Sequence, residues 1–84
     1  MNASPRLTDL RTGARATVVG LRPDGNPTHE LAAQRLAELG FLPGELVRLV
    51  QRGPGGREPL AVAVGESMFA LRWIEAQCVE IGPA

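Results

Sequence analysis

The chain has 84 residues, nine arginines, no lysine, nine acidic residues and a formal net charge of zero. A chain this short buries only about 60% of its unfolded surface and supports one core, so two domains are excluded. Neutrality excludes the basic face that nucleic-acid binding requires, and 44% hydrophobic against 21% charged residues excludes wholesale disorder.

The lone cysteine, Cys78, has no internal disulfide partner, which points to a reducing compartment. The opening Met1-Asn2-Ala3-Ser4-Pro5-Arg6 lacks the apolar centre of a signal peptide. The longest apolar run, residues 60–64, falls far short of the roughly 20 residues of a membrane helix. The expectation is a cytoplasmic domain without direct membrane insertion, brought to a membrane only by a partner.

Residues 1–6 are polar and aperiodic and read as a loose N-terminus. Leu7-Thr8-Asp9-Leu10 forms a compact turn able to tuck both leucines inward, and Gly13 closes it. Residues 14–21 alternate: Ala14, Ala16 and Val18 face one way and Arg15 and Thr17 the other, the pattern of a half-buried strand. Residues 22–27 are dense in turn formers and make a loop. A helix follows, capped by Asn26 or Thr28. With Asn26 as cap, Pro27 takes the first helical position, where its missing N–H is harmless. Ala32, Leu36 and Leu39 give one apolar stripe with Leu31 at its edge. Gly40 ends the helix in a left-handed conformation, Phe41 and Leu42 follow, and Pro43-Gly44 fits the centre of a type II turn.

The second half reads as strands. Residues 45–52 alternate, with Val47 and Leu49 on one face and Leu46, Arg48 and Val50 on the other. Residues 53–56 form a hairpin tip. Leu60, Val62 and Val64 alternate with Ala61 and Ala63, whose small side chains suggest a close neighbour on that face. A tight turn at 65–67, a strand at 68–71, a helical turn at 72–76 and a final strand at 78–81 complete the domain, and 82–84 is a tail. The fold class is mainly β: about five strands closing into a small barrel, with one helix after the first strand and a helical turn before the last.

The segment Leu36-Ala37-Glu38-Leu39-Gly40-Phe41-Leu42-Pro43-Gly44 followed by Val47 resembles the signature of the ferrous iron transport protein A (FeoA) family. The opening Leu7-Thr8-Asp9-Leu10 through Gly13 and Ala16 to Val18 is similar to the family's first strand. Pro59-Leu60, Ala70-Leu71-Arg72, Ala76, Val79 and Ile81 are similar to its closing strands. The resemblance spans about residues 7–81 and implies an SH3-like barrel. It further implies a cytosolic, non-enzymatic accessory of the ferrous iron permease FeoB, acting on the permease's cytosolic GTPase portion. The same fold occurs as the C-terminal domain of metal-dependent repressors, so a metal- or ligand-responsive regulatory domain is the competing expectation. The chain starts at its own methionine with no helix-turn-helix module ahead of it, which favours the stand-alone accessory.

The chemistry-bearing residues fit that picture. One histidine, one cysteine and no tyrosine or lysine leave few bases or nucleophiles. Ser4 and Ser67 lack the context of a nucleophile elbow, and the carboxylates are scattered singly. Without lysine there is no P-loop, so GTP chemistry belongs to the partner. His29, Glu30, Met68 and Cys78 could ligate a metal, but no pair has the spacing of a recognised site. His29 and Glu30 are weak candidates for adventitious transition-metal binding, and no cofactor is evident. Binding residues are sought among Phe41, Leu42, Arg72 and Trp73, large apolar or arginine side chains in connecting segments, where full burial is hardest. The pattern leaves homo-oligomerisation open.

Overall fold

The computed structural model describes residues 4–84. In chain order it comprises a 3-10 turn (Leu7–Asp9), β1 (Arg15–Leu21), α1 (Pro27–Leu39), β2 (Leu46–Arg52), a 3-10 turn (Pro54–Gly56), β3 (Leu60–Val64), β4 (Ser67–Leu71), α2 (Trp73–Gln77) and β5 (Val79–Gly82). The five strands form one antiparallel sheet in the order β4-β3-β2-β1-β5.

The period-2 pattern sets which side chains meet. Ala16 and Val18, Val47 and Leu49, and Leu60, Val62 and Val64 all turn to one side and are buried. Leu36 and Phe41 join this core from the helical side, and Leu7, Leu71, Ala76, Val79 and Ile81 complete it. Register shifts between Val18 and Gly20 and between Leu49 and Gln51 mark bulges, which bend strands and increase their twist. Ala61 and Ala63 stay half-exposed on the outer side, so the close neighbour expected there is no other element among the described residues.

The sheet does not close into the expected barrel. β4 and β5 are its edges and share no ladder. The chain between them, residues 72–78, forms α2, which packs on α1 and the first 3-10 turn instead of letting the edges meet. The β5 edge is protected differently. Arg6 pairs with Glu80 as an isolated bridge, and the Ile81 N–H donates to the Pro5 carbonyl at 3.0 Å. The Arg6 guanidinium also reaches the Gln77 carbonyl at 3.0 Å. Within the N-terminal segment expected to be loose, Pro5 and Arg6 are therefore tied down, while Met1, Asn2 and Ala3 lie outside the described residues. Covering an edge in this way blocks unwanted pairing as closure would.

α1 starts and stops where its residues dictate. The Asn26 carboxamide oxygen accepts from the Thr28 N–H at 2.8 Å with Pro27 behind it. Gly40 adopts φ 112°, where any Cβ would be strained. The helix is rotated slightly from the expected stripe: Ala33 and Leu36 are buried, Ala32 and Leu39 pack partly, and Leu31 is 69% exposed. No helix among the described residues is long and apolar enough to cross a membrane.

Candidate protein-binding surface

The turn after α1 divides two adjacent apolar residues. The Phe41 N–H donates to the Leu36 carbonyl at 3.0 Å, and the ring faces Phe69 at 6.1 Å between centroids, tilted by 51°. Phe41 is fully buried. It was a candidate binding residue by position, but it fills the core and offers nothing to a partner. Leu42 points outward and is 48% exposed. The turn is pinned to β1 by Gly44 N–H to Val18 carbonyl and Val18 N–H to Glu45 carbonyl bonds, both 2.8 Å.

That pinning sets Leu42 beside strands that carry further exposed apolar side chains. Val19 on β1 and Leu46 on β2 are 47% and 54% exposed. Leu46 faces Thr17 across the ladder, two residues from Val19 on the same outer side of β1. Val19 and Leu46 were not among the candidates drawn from the sequence, although the alternation already placed Leu46 outward. Isolated exposed leucines are ordinary, whereas contiguous exposed apolar patches mark interaction surfaces.

Trp73 and Arg72 behave differently. The Trp73 ring lies under the Arg57 guanidinium at 4.2 Å, with that of Arg52 5.9 Å away, and the Trp73 backbone N–H donates to Glu58 Oε1 at 2.7 Å. The half-buried indole is thus held by the β2–β3 hairpin in cation–π contacts. Arg72 precedes α2 and is exposed, its backbone N–H donating to Glu75 Oε1 at 2.7 Å. Nothing brings Arg72 and Trp73 into contact with Leu42.

The candidate metal ligands do not assemble. His29 Nδ1 lies 2.7 Å from Asp24 Oδ1, and Glu30 is exposed. Hydrogen bonding from the Asn26 N–H and then from His29 holds the Asp24 carboxyl below its ordinary value. Cys78 is buried, with its thiol 3.3 Å from the Ile74 carbonyl, and burial raises its pKa. No group of three or more His, Cys, Asp or Glu side chains placed to hold a metal ion is found among the described residues. His29, Asp24 and Cys78 border a cavity of about 390 Å³ with Arg6 and Arg22.

Glu80 is the buried acid of the domain. Hydrogen bonds from the Ser4 hydroxyl and from Arg22, whose Nε sits 2.5 Å from Oε1, hold its pKa below the ordinary 4.5. A depressed folded-state pKa means that stability present at neutral pH is lost as pH falls through that lowered value. Glu80→Gln should flatten the acid limb of the stability curve below about pH 4.5, read by urea denaturation at several pH values. An acid limb as steep in the variant as in the wild type would assign the effect to other carboxylates.

The FeoA domain model matches residues 6–83. No curated protein sequence shows significant similarity to the chain. Among solved structures, Stenotrophomonas maltophilia FeoA in complex with zinc is 40% identical, with 94% of this chain and 91% of that chain covered at a TM-score of 0.83. That protein is described as a prokaryotic SH3-domain protein and a possible ferrous iron transport activating factor. A FeoA-like protein of Clostridium acetobutylicum shares the fold at 18% identity, 99% and 90% coverage and a TM-score of 0.80. The repressor IdeR of T. acidophilum contains the same fold within 36% of its length, at 17% identity, full coverage of this chain and a TM-score of 0.75. With the model match spanning nearly all of the sequence and a zinc-bound FeoA at 40% identity, the chain belongs to the FeoA domain family.

Proposed function

We propose that this protein is a non-enzymatic accessory of bacterial ferrous iron uptake, working in the cytoplasm, that binds the cytosolic GTPase portion of a FeoB-type permease and modulates its transport. The observation that carries the reading is the family signature itself. Its Gly40-Phe41-Leu42-Pro43-Gly44 turn buries Phe41, exposes Leu42 and is bonded to β1, which with β2 carries the exposed Val19 and Leu46. An apolar surface built on a rigid, doubly pinned turn binds without a large ordering penalty. The accessory would bias the permease by contacting one of its states better than the other, since equal affinity shifts nothing.

Leu42→Glu is expected to weaken binding to the permease's cytosolic part roughly tenfold or more, a charge replacing an apolar contact. Isothermal titration calorimetry measures it, with circular dichroism confirming the fold. Unchanged affinity would remove the turn from the interface. The competing reading, a metal-responsive regulatory module, draws on the fold shared with IdeR and on the zinc complex of the S. maltophilia FeoA. Equilibrium dialysis against Fe²⁺ and Zn²⁺ separates the two: tight stoichiometric binding lost on His29→Ala supports the regulator.

A further inference from the structure

Most arginines resolved in contact with something serve the fold. Arg6 binds backbone carbonyls, Arg22 binds Glu80, Arg52 binds three carbonyls and Arg57 covers Trp73. Two others do not. Arg15 on β1 and Arg48 on β2 stand directly opposite each other in the antiparallel ladder. Side chains so placed have Cβ atoms about 4.5–5.5 Å apart, and like charges there repel. Both arginines are exposed, and neither joins an ion pair among the described residues.

The surroundings of the pair are apolar. The ladder runs from Arg48 to Ala63 on β3 and from Ala63 to Met68 on β4, so one outward row crosses four strands. Met68, at its far end, is 59% exposed. Leu46 sits two residues from Arg48 on the same face. Arg15, Leu46, Arg48 and Ala63 line one shallow groove of about 200 Å³. Glu45 and Glu66 occupy the turns at its border and pair with neither arginine. The core does not need this arrangement, because the buried face of the same strands lies on the opposite side.

We propose that this outer face of β1–β4 docks an acidic segment of a protein partner. Its carboxylates sit between Arg15 and Arg48, and separate apolar side chains cover Leu46 and Met68. Charge complementarity selects this occupant: a carboxylate between the two guanidinium groups removes their repulsion and gains charge-assisted hydrogen bonds. A phosphate polymer or an anionic membrane calls for a broader basic field than two cations amid apolar side chains on a neutral domain. The inference names the chemistry of the contact in the accessory reading and rests on that reading for the partner's place in iron transport.

The test uses the full chain, labelled with nitrogen-15, and two probe peptides. One carries glutamate and leucine at every second position with serine between them; the other has glutamine in place of glutamate. The acidic peptide should shift the amides of Arg15, Leu46, Arg48, Ala63 and Met68. Its affinity should fall roughly tenfold with the glutamine peptide and with the R15Q/R48Q double variant, and should fall further with added salt. That variant should melt no lower than the wild type, because a repulsive pair has been removed. Equal binding of both peptides, shifts confined to the β4 edge, or binding of phosphatidylglycerol vesicles in preference to the peptide would each overturn the proposal. A second titration with the permease's cytosolic part separates the two readings. If the double variant binds it as tightly as the wild type, this face is not the docking surface and the accessory reading stands. If neither protein binds it while the acidic peptide still maps to the face, the accessory reading fails and the face remains.

Discussion

Phe41→Ala should lose about 3–5 kcal/mol of stability, the usual penalty for emptying a fully buried aromatic site. The ring is completely enclosed, packs on Phe69 and closes the core at the end of α1. A domain of this size has a total stability at the lower end of about 5–15 kcal/mol, so the variant should keep no more than about 2 kcal/mol and be partly unfolded at 37 °C. Leu42→Ala, one residue along, should stay within about 0.5 kcal/mol of the wild type, because it removes an exposed side chain. Urea denaturation of the pair tests the division between packing and binding. Comparable losses at both positions would show that Leu42 is also part of the core.

Arg52→Ala should lose about 2–4 kcal/mol, since removing the guanidinium leaves backbone acceptors without partners. Its Nη2 donates to the carbonyls of Thr8 and Leu10, both at 2.7 Å, and Nη1 donates to that of Gly56 at 2.9 Å. One side chain therefore fastens the β2–β3 hairpin tip to the N-terminal turn and lies 5.9 Å from Trp73. Arg52→Lys should recover less than half of the loss, because an ammonium cannot reproduce the forked, planar geometry. A lysine variant as stable as the wild type, measured by thermal and urea unfolding, would show that charge alone matters there. The two arginines over the indole also explain why Trp73 is a poorer binding residue than its type suggests: its ring is already engaged within the chain.

What was legible in the sequence was whatever local periodicity and turn chemistry control. The inward residues of β1, β2 and β3 follow from alternation, and the ends of α1 follow from Asn26, Pro27 and Gly40. The outward placement of Leu46 with Arg48 was legible too, although their significance was not, because Arg15 becomes a neighbour of Arg48 only through the ladder. Ala33 rather than Leu31 was buried because the rotation of a helix about its axis is set by what packs on it. The choice between Phe41 and Leu42 was equally hidden. Both are apolar and adjacent, and only the pinning of the turn to β1 decides which enters the core.

By itself the sequence determined a single neutral domain, mainly β, with one capped helix, no lysine for a P-loop and a signature that the family match extends over residues 6–83. The tertiary structure decided everything that joins residues far apart in the chain. It left the sheet open between β4 and β5, covered the β5 edge with Pro5 and Arg6, and spanned 44 residues with the Arg52 to Thr8 bond. It also set two unpaired arginines face to face on the outer sheet. The physical reason is one of range. Side-chain period and capping act over a few residues, whereas register, edge protection and charge juxtaposition exist only once separate strands share a ladder.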